Sequence, residues 1–109
     1  MNNPSPSISV VIPAYNEEKR LPNTLRTTAQ YLTSKPYEWE ILVVNDGSHD
    51  KTADIVQEYT IRDKRIKLLQ YGKNHGKGYA VRYGMTHATG DIQIFMDADN
   101  STTIDHVEK

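Results

Sequence analysis

Two aspartates one residue apart, Asp97 and Asp99, stand at the end of a short apolar run that follows a glycine. The length of the run predicts a buried strand over residues 91–96. Side chains two residues apart on extended backbone point to the same side, so strand geometry that persists to residue 99 would aim both carboxylates at one point. Converging carboxylates suit Mg²⁺ or Mn²⁺ that holds a diphosphate. A polar turn after a strand is the alternative interpretation, because acidic residues are common in turns.

The composition narrows the class of protein. The chain has 109 residues, a formal net charge of −1 and no cysteine. The length predicts one domain, the charge argues against a nucleic-acid partner, and the lack of cysteine suits a reducing compartment. The first seven residues lack the basic start and apolar region of a signal peptide. We therefore expect a cytoplasmic protein whose membrane contact, if any, is peripheral or lies outside this segment.

The order of the predicted elements indicates the fold class. Residues 1–7 are predicted to be a loose lead-in, and the strands lie at residues 8–12, 41–44, 66–70 and 91–96. Four helices are predicted: the first begins near residue 21, the second follows a cap at Asp50, the third begins at the loop 74–78 and the fourth begins at residue 104. Strand–helix alternation with short connections predicts a three-layer α/β fold: a mostly parallel sheet with helices on both faces.

The polar loops of this pattern follow the carboxyl ends of strands. They are residues 13–18, 45–48 and 97–101, and the glycine-rich loop 74–78 follows the third strand. Ligands of such sheets bind at these ends, where the strand order reverses. The clustering favours a functional role for Asp97 and Asp99. It also makes Asp46 a candidate acceptor for a base N–H or a ribose hydroxyl, although an ordinary turn would carry the same residue.

The glycine-rich loop fits neither common phosphate-binding motif. Only three residues separate Gly72 from Gly76, where a Walker loop has four, and Val81 stands where the dinucleotide fingerprint has its third glycine. Backbone N–H groups at the helix start, with Lys77 beside them, could still meet a phosphate; otherwise the glycines only let the chain turn. A calcium loop starting at the first aspartate would have Thr102 in place of its glycine.

Four segments together resemble the nucleotide-binding half of family 2 glycosyltransferases of the GT-A fold. They are Ser9-Val-Val-Ile-Pro-Ala-Tyr-Asn-Glu-Glu18, Glu40-Ile-Leu-Val-Val-Asn-Asp-Gly-Ser48, Asn74-His-Gly-Lys-Gly-Tyr-Ala-Val-Arg82 and Phe95-Met-Asp-Ala-Asp99. They cover nearly the whole chain in the order and spacing of the family. The last two segments look most like the dolichyl-phosphate glucosyltransferase branch, to which dolichyl-phosphate mannose synthases are close.

The resemblance implies a role for each matching residue. The residues implied to contact the nucleotide are Pro13, Ala14, Tyr15, Glu17, Asp46, Lys77 and Asp97. Among these, Asp46 would bind the base or the ribose. Asp97 would lie near the ribose and the metal, and Asp99 would be the main ligand of Mg²⁺ or Mn²⁺. Many relatives have Asp-Asp-Gly-Ser where this chain has Asn45, but the second carboxylate of that motif is kept.

The resemblance also implies a reaction. It is the metal-dependent, inverting transfer of a hexose, glucose from UDP-glucose, to a dolichyl or other polyprenyl phosphate at the cytoplasmic face of a membrane. GDP-mannose as donor, or a nucleotide-binding segment without activity of its own, are the alternatives. The family's catalytic domain continues well past the Asp-x-Asp strand, so residues 8–109 would form only the nucleotide-sugar-binding part, with any catalytic base beyond Lys109. Half a sheet would expose an apolar edge, which predicts self-association.

Overall fold

The computed structural model describes residues 6–99 of the chain. Within that range lie β1 (Ser7–Ala14), α1 (Leu21–Thr33), β2 (Glu38–Asp46), α2 (Thr52–Arg62), β3 (Ile66–Tyr71), α3 (Lys77–His87) and β4 (Ile92–Phe95). The four strands pair in parallel in the order β3-β2-β1-β4. The predicted α/β fold is thereby confirmed, while the helix predicted from residue 104 lies outside the described residues.

Helices cover both faces of the sheet because alternate residues of each strand point to opposite sides. On one face, strand residues such as Val10 and Ile41 pack in one core with Leu25 of α1 and Val56 of α2. On the other face, a smaller core of Val11, Leu42 and Val44 packs against Ala80 of α3. Residues 41–44 of β2 are 0–1% exposed, as their apolar character on both faces predicts. No helix within residues 6–99 has the length and apolar character needed to cross a membrane.

Two predicted boundaries move by one or two residues. Pro13 was expected to stop the first strand, but β1 continues to Ala14. The carbonyl of Val11 accepts a hydrogen bond from the N–H of Met96, so the backbone groups of Val11 face β4. Pro13 lies two residues later, so its backbone nitrogen faces the same side, but beyond the last residue of β4 that pairs with β1. Its missing N–H thus removes no bond of the ladder. Similarly, Asp50 precedes the N-cap of α2 by one residue, yet still accepts a hydrogen bond at 2.9 Å from the first helical N–H.

The prediction of a buried strand with aspartates at its end is wrong for β4. Within residues 6–99 this strand pairs only with β1 and forms an edge of the sheet, with Ile92 45% and Phe95 50% exposed. It ends at Phe95, so Asp97 and Asp99 lie in a turn beyond it rather than on extended backbone. An apolar run alone does not distinguish an edge strand from a central one.

The exposed edge of β4 is the structural basis for the predicted self-association. We expect the sedimentation coefficient of the chain to rise with concentration, and an Ile92→Lys variant to stay monomeric, because a lysine on an edge strand opposes strand pairing. Ile61→Lys is the matched control, since Ile61 is 83% exposed on α2, away from the edge. A strictly monomeric wild-type profile at high concentration would contradict the prediction.

Gly84 determines how closely α3 approaches the sheet. A Cβ atom at this position would collide with Cγ1 of Val11 and lie 3.0 Å from Cγ2 of Val44, both in fully buried residues. Gly84→Ala is therefore expected to reduce the free energy of unfolding by about 1–3 kcal/mol through overpacking. Gly72→Ala is the control, because a Cβ there meets nothing within 4 Å. Equal midpoints of urea unfolding for the two variants would show that α3 moves away from the sheet without a loss of stability.

Candidate functional site

The strand order reverses at the carboxyl ends of β1 and β4. The strands β2 and β3 follow on one side of β1, whereas β4 lies on the other side, and such a switch point is where open α/β sheets bind ligands. A cavity of about 170 Å³ lies there, lined by Pro13, Ala14, Tyr15, Glu17, Asp46, Lys77, Asp97, Ala98 and Asp99. All the residues predicted to bind nucleotide or metal are therefore on one cavity wall. Their individual roles stay predictions.

The loop after β1 is held in place by the loop after β2. Asn16 has a φ of 55°, in the left-handed region that asparagine tolerates better than most residues. Its backbone N–H donates to Ser48 Oγ at 2.9 Å, and its Oδ1 accepts from the N–H of His49 at 2.8 Å. The N–H of Glu17 donates to Thr52 Oγ1 at 3.0 Å. These contacts fix the loop that forms one side of the cavity.

The carboxylate of Asp46 accepts four hydrogen bonds from within the protein. Its Oδ1 accepts from the Tyr71 hydroxyl at 2.7 Å and the His75 N–H at 2.9 Å, and its Oδ2 from the Asn74 side chain at 2.9 Å and the Gly76 N–H at 3.0 Å. The carboxylate thus pins the loop before α3 to the end of β2. All four of its lone-pair positions are used. A base or ribose that binds this carboxylate must displace one of the two side-chain donors.

Tyr71 is a site residue that the sequence analysis missed. Burial and the hydrogen bond to Asp46 raise the pKa of its hydroxyl above the usual value, so the group stays a donor further into the alkaline range. Its ring packs edge-on against those of His75, Tyr79 and Tyr83, with centroids 5.1–5.3 Å apart. Its position at the end of β3 and the four-residue spacing of the other two tyrosines were the available signals.

The turn that carries the two aspartates is held from behind by β1 and α1. The N–H of Met96 donates to the Val11 carbonyl at 3.0 Å, and Thr24 Oγ1 donates to the Ala98 carbonyl at 2.7 Å. Ala98 is buried, so it anchors the turn while the aspartates on either side of it line the cavity. Thr24 was also missed; the signal was a hydroxyl on the apolar stripe of α1.

Each of the two aspartates faces a basic side chain. Lys77 Nζ forms an ion pair with Asp97 Oδ1. Arg20 Nη1 lies 3.9 Å from Asp99 Oδ2, while Arg20 Nε lies 2.8 Å from Glu17 Oε1. The loop after β1, the start of α3 and the turn after β4 are therefore connected by charged side chains in and beside the cavity.

The donor set on the cavity wall fits a divalent cation that arrives with a diphosphate. Carboxylate oxygens are the ligands that Mg²⁺ and Mn²⁺ prefer, and Mg²⁺ usually takes one or two of them, completing its shell with phosphates and water. In the described part of the chain no three Asp, Glu or His side chains converge as an all-protein metal cage. Asp97 and Asp99 therefore suit a metal bound jointly with a ligand.

A larger cavity, of about 340 Å³, lies at the opposite edge of the sheet, around Trp39 and Glu40. It contains none of the residues predicted to bind nucleotide or metal. Its central carboxylate, Glu40, already accepts hydrogen bonds from Ser9, Lys67 and Thr89. The smaller cavity at the switch point is therefore the candidate site.

The chain matches glycosyl transferase family 2 over residues 9–109. It belongs to this family. The chain is 47% identical over 106 residues to a dolichyl-phosphate beta-glucosyltransferase of Trichomonas vaginalis, and the matched region covers 93% of this chain and 32% of that protein. The human dolichyl-phosphate beta-glucosyltransferase is 35% identical over 115 residues, with 99% and 36% covered. A bactoprenol glucosyl transferase of Shigella phage SfX is 36% identical over 102 residues, with 94% and 33% covered. The chain thus spans about a third of the length of these curated relatives.

Solved members of the family have the same fold. The mannosyltransferase PcManGT of Pyrobaculum calidifontis, in complex with GDP-Man and Mn²⁺, superposes with a TM-score of 0.76 at 28% identity, over 87% of this chain and 28% of that one. S. aureus TarS 1-349, in complex with UDP-GlcNAc, also superposes with a TM-score of 0.76, at 31% identity, over 94% of this chain and 30% of that one. Both are GT-A glycosyltransferases, so the predicted GT-A fold is confirmed.

Proposed function

We propose that this chain forms the nucleotide-sugar site of an inverting glycosyltransferase that moves glucose from UDP-glucose to a dolichyl or other polyprenyl phosphate. The observation that carries the proposal is the convergence, on one cavity at the switch point, of every residue implied to bind nucleotide or metal. The acceptor class is supported by the names of the relatives, which are dolichyl-phosphate and bactoprenol glucosyltransferases. Because these acceptors are membrane lipids, we propose that the whole protein acts at a membrane, and at its cytoplasmic face as the resemblance implies.

In this proposal the cavity wall divides into a base side and a phosphate side. The base side consists of Pro13, Ala14, Tyr15, Glu17 and Asp46. On the phosphate side, Lys77 is the first residue of α3, where an ammonium group and the helix N-terminus both favour a diphosphate. Asp97 and Asp99 would hold Mg²⁺ or Mn²⁺, and that ion would neutralise charge on the departing diphosphate.

The proposed acceptor makes a strong general base unnecessary. A phosphate monoester is ionised near neutral pH, so it can attack the anomeric carbon directly from the face opposite the diphosphate and invert that centre. A hydroxyl acceptor would instead require a carboxylate within hydrogen-bond reach. We assign no residue of the described segment to that role.

A second donor is supported by a specific observation. The mannosyltransferase solved with GDP-Man superposes on this chain as well as TarS solved with UDP-GlcNAc does, with a TM-score of 0.76 in each case. The fold therefore does not choose between uridine and guanosine donors. Since the chain spans about a third of its relatives, a nucleotide-binding segment without transfer activity of its own is the other candidate.

Calorimetric titration of the 109-residue chain with UDP, GDP and UDP-glucose tests the proposal. Each titration is made with Mn²⁺ and repeated with a chelator. We expect Mn²⁺-dependent binding of UDP and UDP-glucose, and weaker binding of GDP. Preference for GDP would favour the mannosyl donor instead. A folded chain that binds none of the three would show that this segment does not form a working site.

A further inference from the structure

We propose that Tyr71 is a positioning residue that fixes the carboxylate of Asp46 and thereby sets which nucleotide bases the cavity accepts. The accepted bases carry a ring N–H beside a carbonyl, as uracil and guanine do. Cytosine and adenine, which have a bare ring nitrogen at that place, are disfavoured. This role rests on the proposed function, because it assumes that Asp46 receives a base. It adds a residue outside the cavity that controls the contact.

The first observation is the geometry that joins the two residues. Asp46 and Tyr71 are paired in register at the carboxyl ends of β2 and β3, and the Tyr71 hydroxyl donates to Asp46 Oδ1 at 2.7 Å. Asp46 lines the cavity at the switch point, whereas Tyr71 does not. The hydroxyl of Tyr71 therefore acts on a ligand through the carboxylate of Asp46.

The second observation is that the two side-chain donors to Asp46 are held with different firmness. Asn74 is exposed, and its amide also donates to the backbone carbonyl of Asp46 at 3.2 Å, so it keeps an acceptor when it leaves the carboxylate. The ring of Tyr71 packs edge-on against three aromatic rings, with centroids 5.1–5.3 Å apart. An arriving base therefore displaces Asn74 from Oδ2, while Tyr71 stays on Oδ1.

A fixed carboxylate distinguishes bases by the place of their donor. Asp46 is only 3% exposed, so a base meets one edge of the carboxylate, at the position that Asn74 leaves. The ring N–H of uracil or guanine can donate there. Cytosine instead presents a lone pair of its ring nitrogen, which leaves a buried carboxylate oxygen without a donor, and that loss is costly.

Loss of the Tyr71 hydroxyl should weaken this distinction. The bond between Cβ and Cγ of an aspartate turns easily, because its torsion has broad minima. A carboxylate that is no longer held at Oδ1 can therefore turn towards the exocyclic amino group of cytosine, which lies beside the bare ring nitrogen. The variant site then accepts cytosine by a different donor, while uracil loses the aligned acceptor that it had.

Calorimetric titration of wild type and Tyr71→Phe with UDP and with CDP, in the presence of Mn²⁺, tests the inference. The two ligands share ribose and diphosphate, so the ratio of their affinities depends on the base alone. We expect wild type to prefer UDP by at least about tenfold. In Tyr71→Phe the affinity for UDP should fall about fivefold, and the affinity for CDP should stay within about twofold of wild type. A merely structural effect would weaken both ligands equally.

The matched control is Tyr59→Phe. Tyr59 is a half-buried tyrosine of α2 whose hydroxyl donates to the Pro22 carbonyl at 3.3 Å, and it does not line the cavity. Both variants keep the aromatic ring, so their circular dichroism spectra should superimpose on that of wild type. Tyr59→Phe should keep the wild-type preference for UDP over CDP. An equal loss of that preference in the two variants would overturn the inference.

The remaining outcomes distinguish the inference from the proposed function. If wild type binds UDP, and Tyr71→Phe keeps the full preference over CDP, the inference is overturned and the proposed function stands. The same holds if wild type binds UDP and CDP equally. If wild type prefers GDP, the comparison is made between GDP and ADP, and a preference that shrinks in Tyr71→Phe supports the inference. If wild type binds no nucleotide, the proposed function fails for this segment, and the role that we assign to Tyr71 fails with it.

Discussion

Replacing Asp99 by Asn is expected to abolish the Mn²⁺-dependent binding of UDP to this chain while leaving the fold intact. The substitution keeps the shape of the side chain but removes the negative charge from the proposed main metal ligand. We expect affinity to fall by at least about a hundredfold, since even partners that only orient metal ligands contribute 10- to 100-fold. The side chain of Asp99 is 37% exposed, so the free energy of unfolding should change by no more than about 0.5 kcal/mol.

The matched control for this variant is Asp91→Asn. Asp91 is an exposed aspartate at the other end of β4, so its substitution makes the same change of charge away from the cavity. Calorimetry should show wild-type binding for Asp91→Asn and none for Asp99→Asn, with superimposable circular dichroism spectra. In the whole protein, glycosyl transfer should be lost as well. Wild-type affinity of Asp99→Asn for Mn²⁺–UDP would remove the basis for a metal at this turn.

The fold was accessible from the sequence because its elements differ in period. Residues 41–44 form a continuous β-branched and aliphatic run, whereas Leu21, Leu25 and Leu32 repeat at helical spacing. Alternation of the two patterns then dictates a parallel sheet. The exposure of β4 could not be predicted from the sequence, because the burial of a strand depends on which elements lie beside it. The path of the turn after it was missed for a similar reason, since Thr24 and Ala98 are 74 residues apart.

The residues of the candidate site were predicted from their places at strand ends, but most of their partners were not. Asp46 was predicted as a site residue, yet its bond with Tyr71 joins two strands across 25 residues. The ion pair of Lys77 with Asp97 likewise joins a helix start to a turn 20 residues later. A local pattern shows which groups can do chemistry. It does not show which of those groups already neutralise one another.

Glu40 is a buried carboxylate that connects three strands at the edge opposite the site. Its Oε2 accepts from Ser9 Oγ at 2.6 Å and from the N–H and hydroxyl of Thr89 at 2.7 and 3.0 Å, and its Oε1 accepts from Lys67 Nζ at 2.7 Å. Ser9 Oγ in turn accepts from the N–H of Gly90 at 2.8 Å. The carboxylate therefore holds β1, β2 and β3 to the chain that enters β4. In the sequence, Glu40 was noted only as the first residue of one of the four segments that resemble the family.

The pKa of Glu40 shows how strongly the ionised form is favoured. Burial by itself would raise this pKa, but the hydrogen bonds from Lys67, Ser9 and Thr89 outweigh burial and lower it from 4.5 to about 2. A carboxylate whose pKa is lower in the folded than in the unfolded chain stabilises the fold fully above the unfolded value. That contribution should therefore be complete at pH 7 and should disappear as the pH falls from about 4.5 towards 2.

Glu40→Gln is accordingly expected to reduce the free energy of unfolding by about 2–4 kcal/mol at pH 7, because the new amide group faces donors where a carboxylate accepted them. Urea unfolding at pH 7 and at pH 3 measures the loss, and the difference from wild type should be clearly smaller at pH 3. The control is Glu38→Gln, two residues earlier on β2 and exposed, which should change the stability by no more than about 0.5 kcal/mol. The same loss at both pH values would show that Glu40 acts through its shape rather than its charge. A loss that is large at pH 7 and small at pH 3 would show that the ionised carboxylate, rather than the shape of the side chain, stabilises the fold.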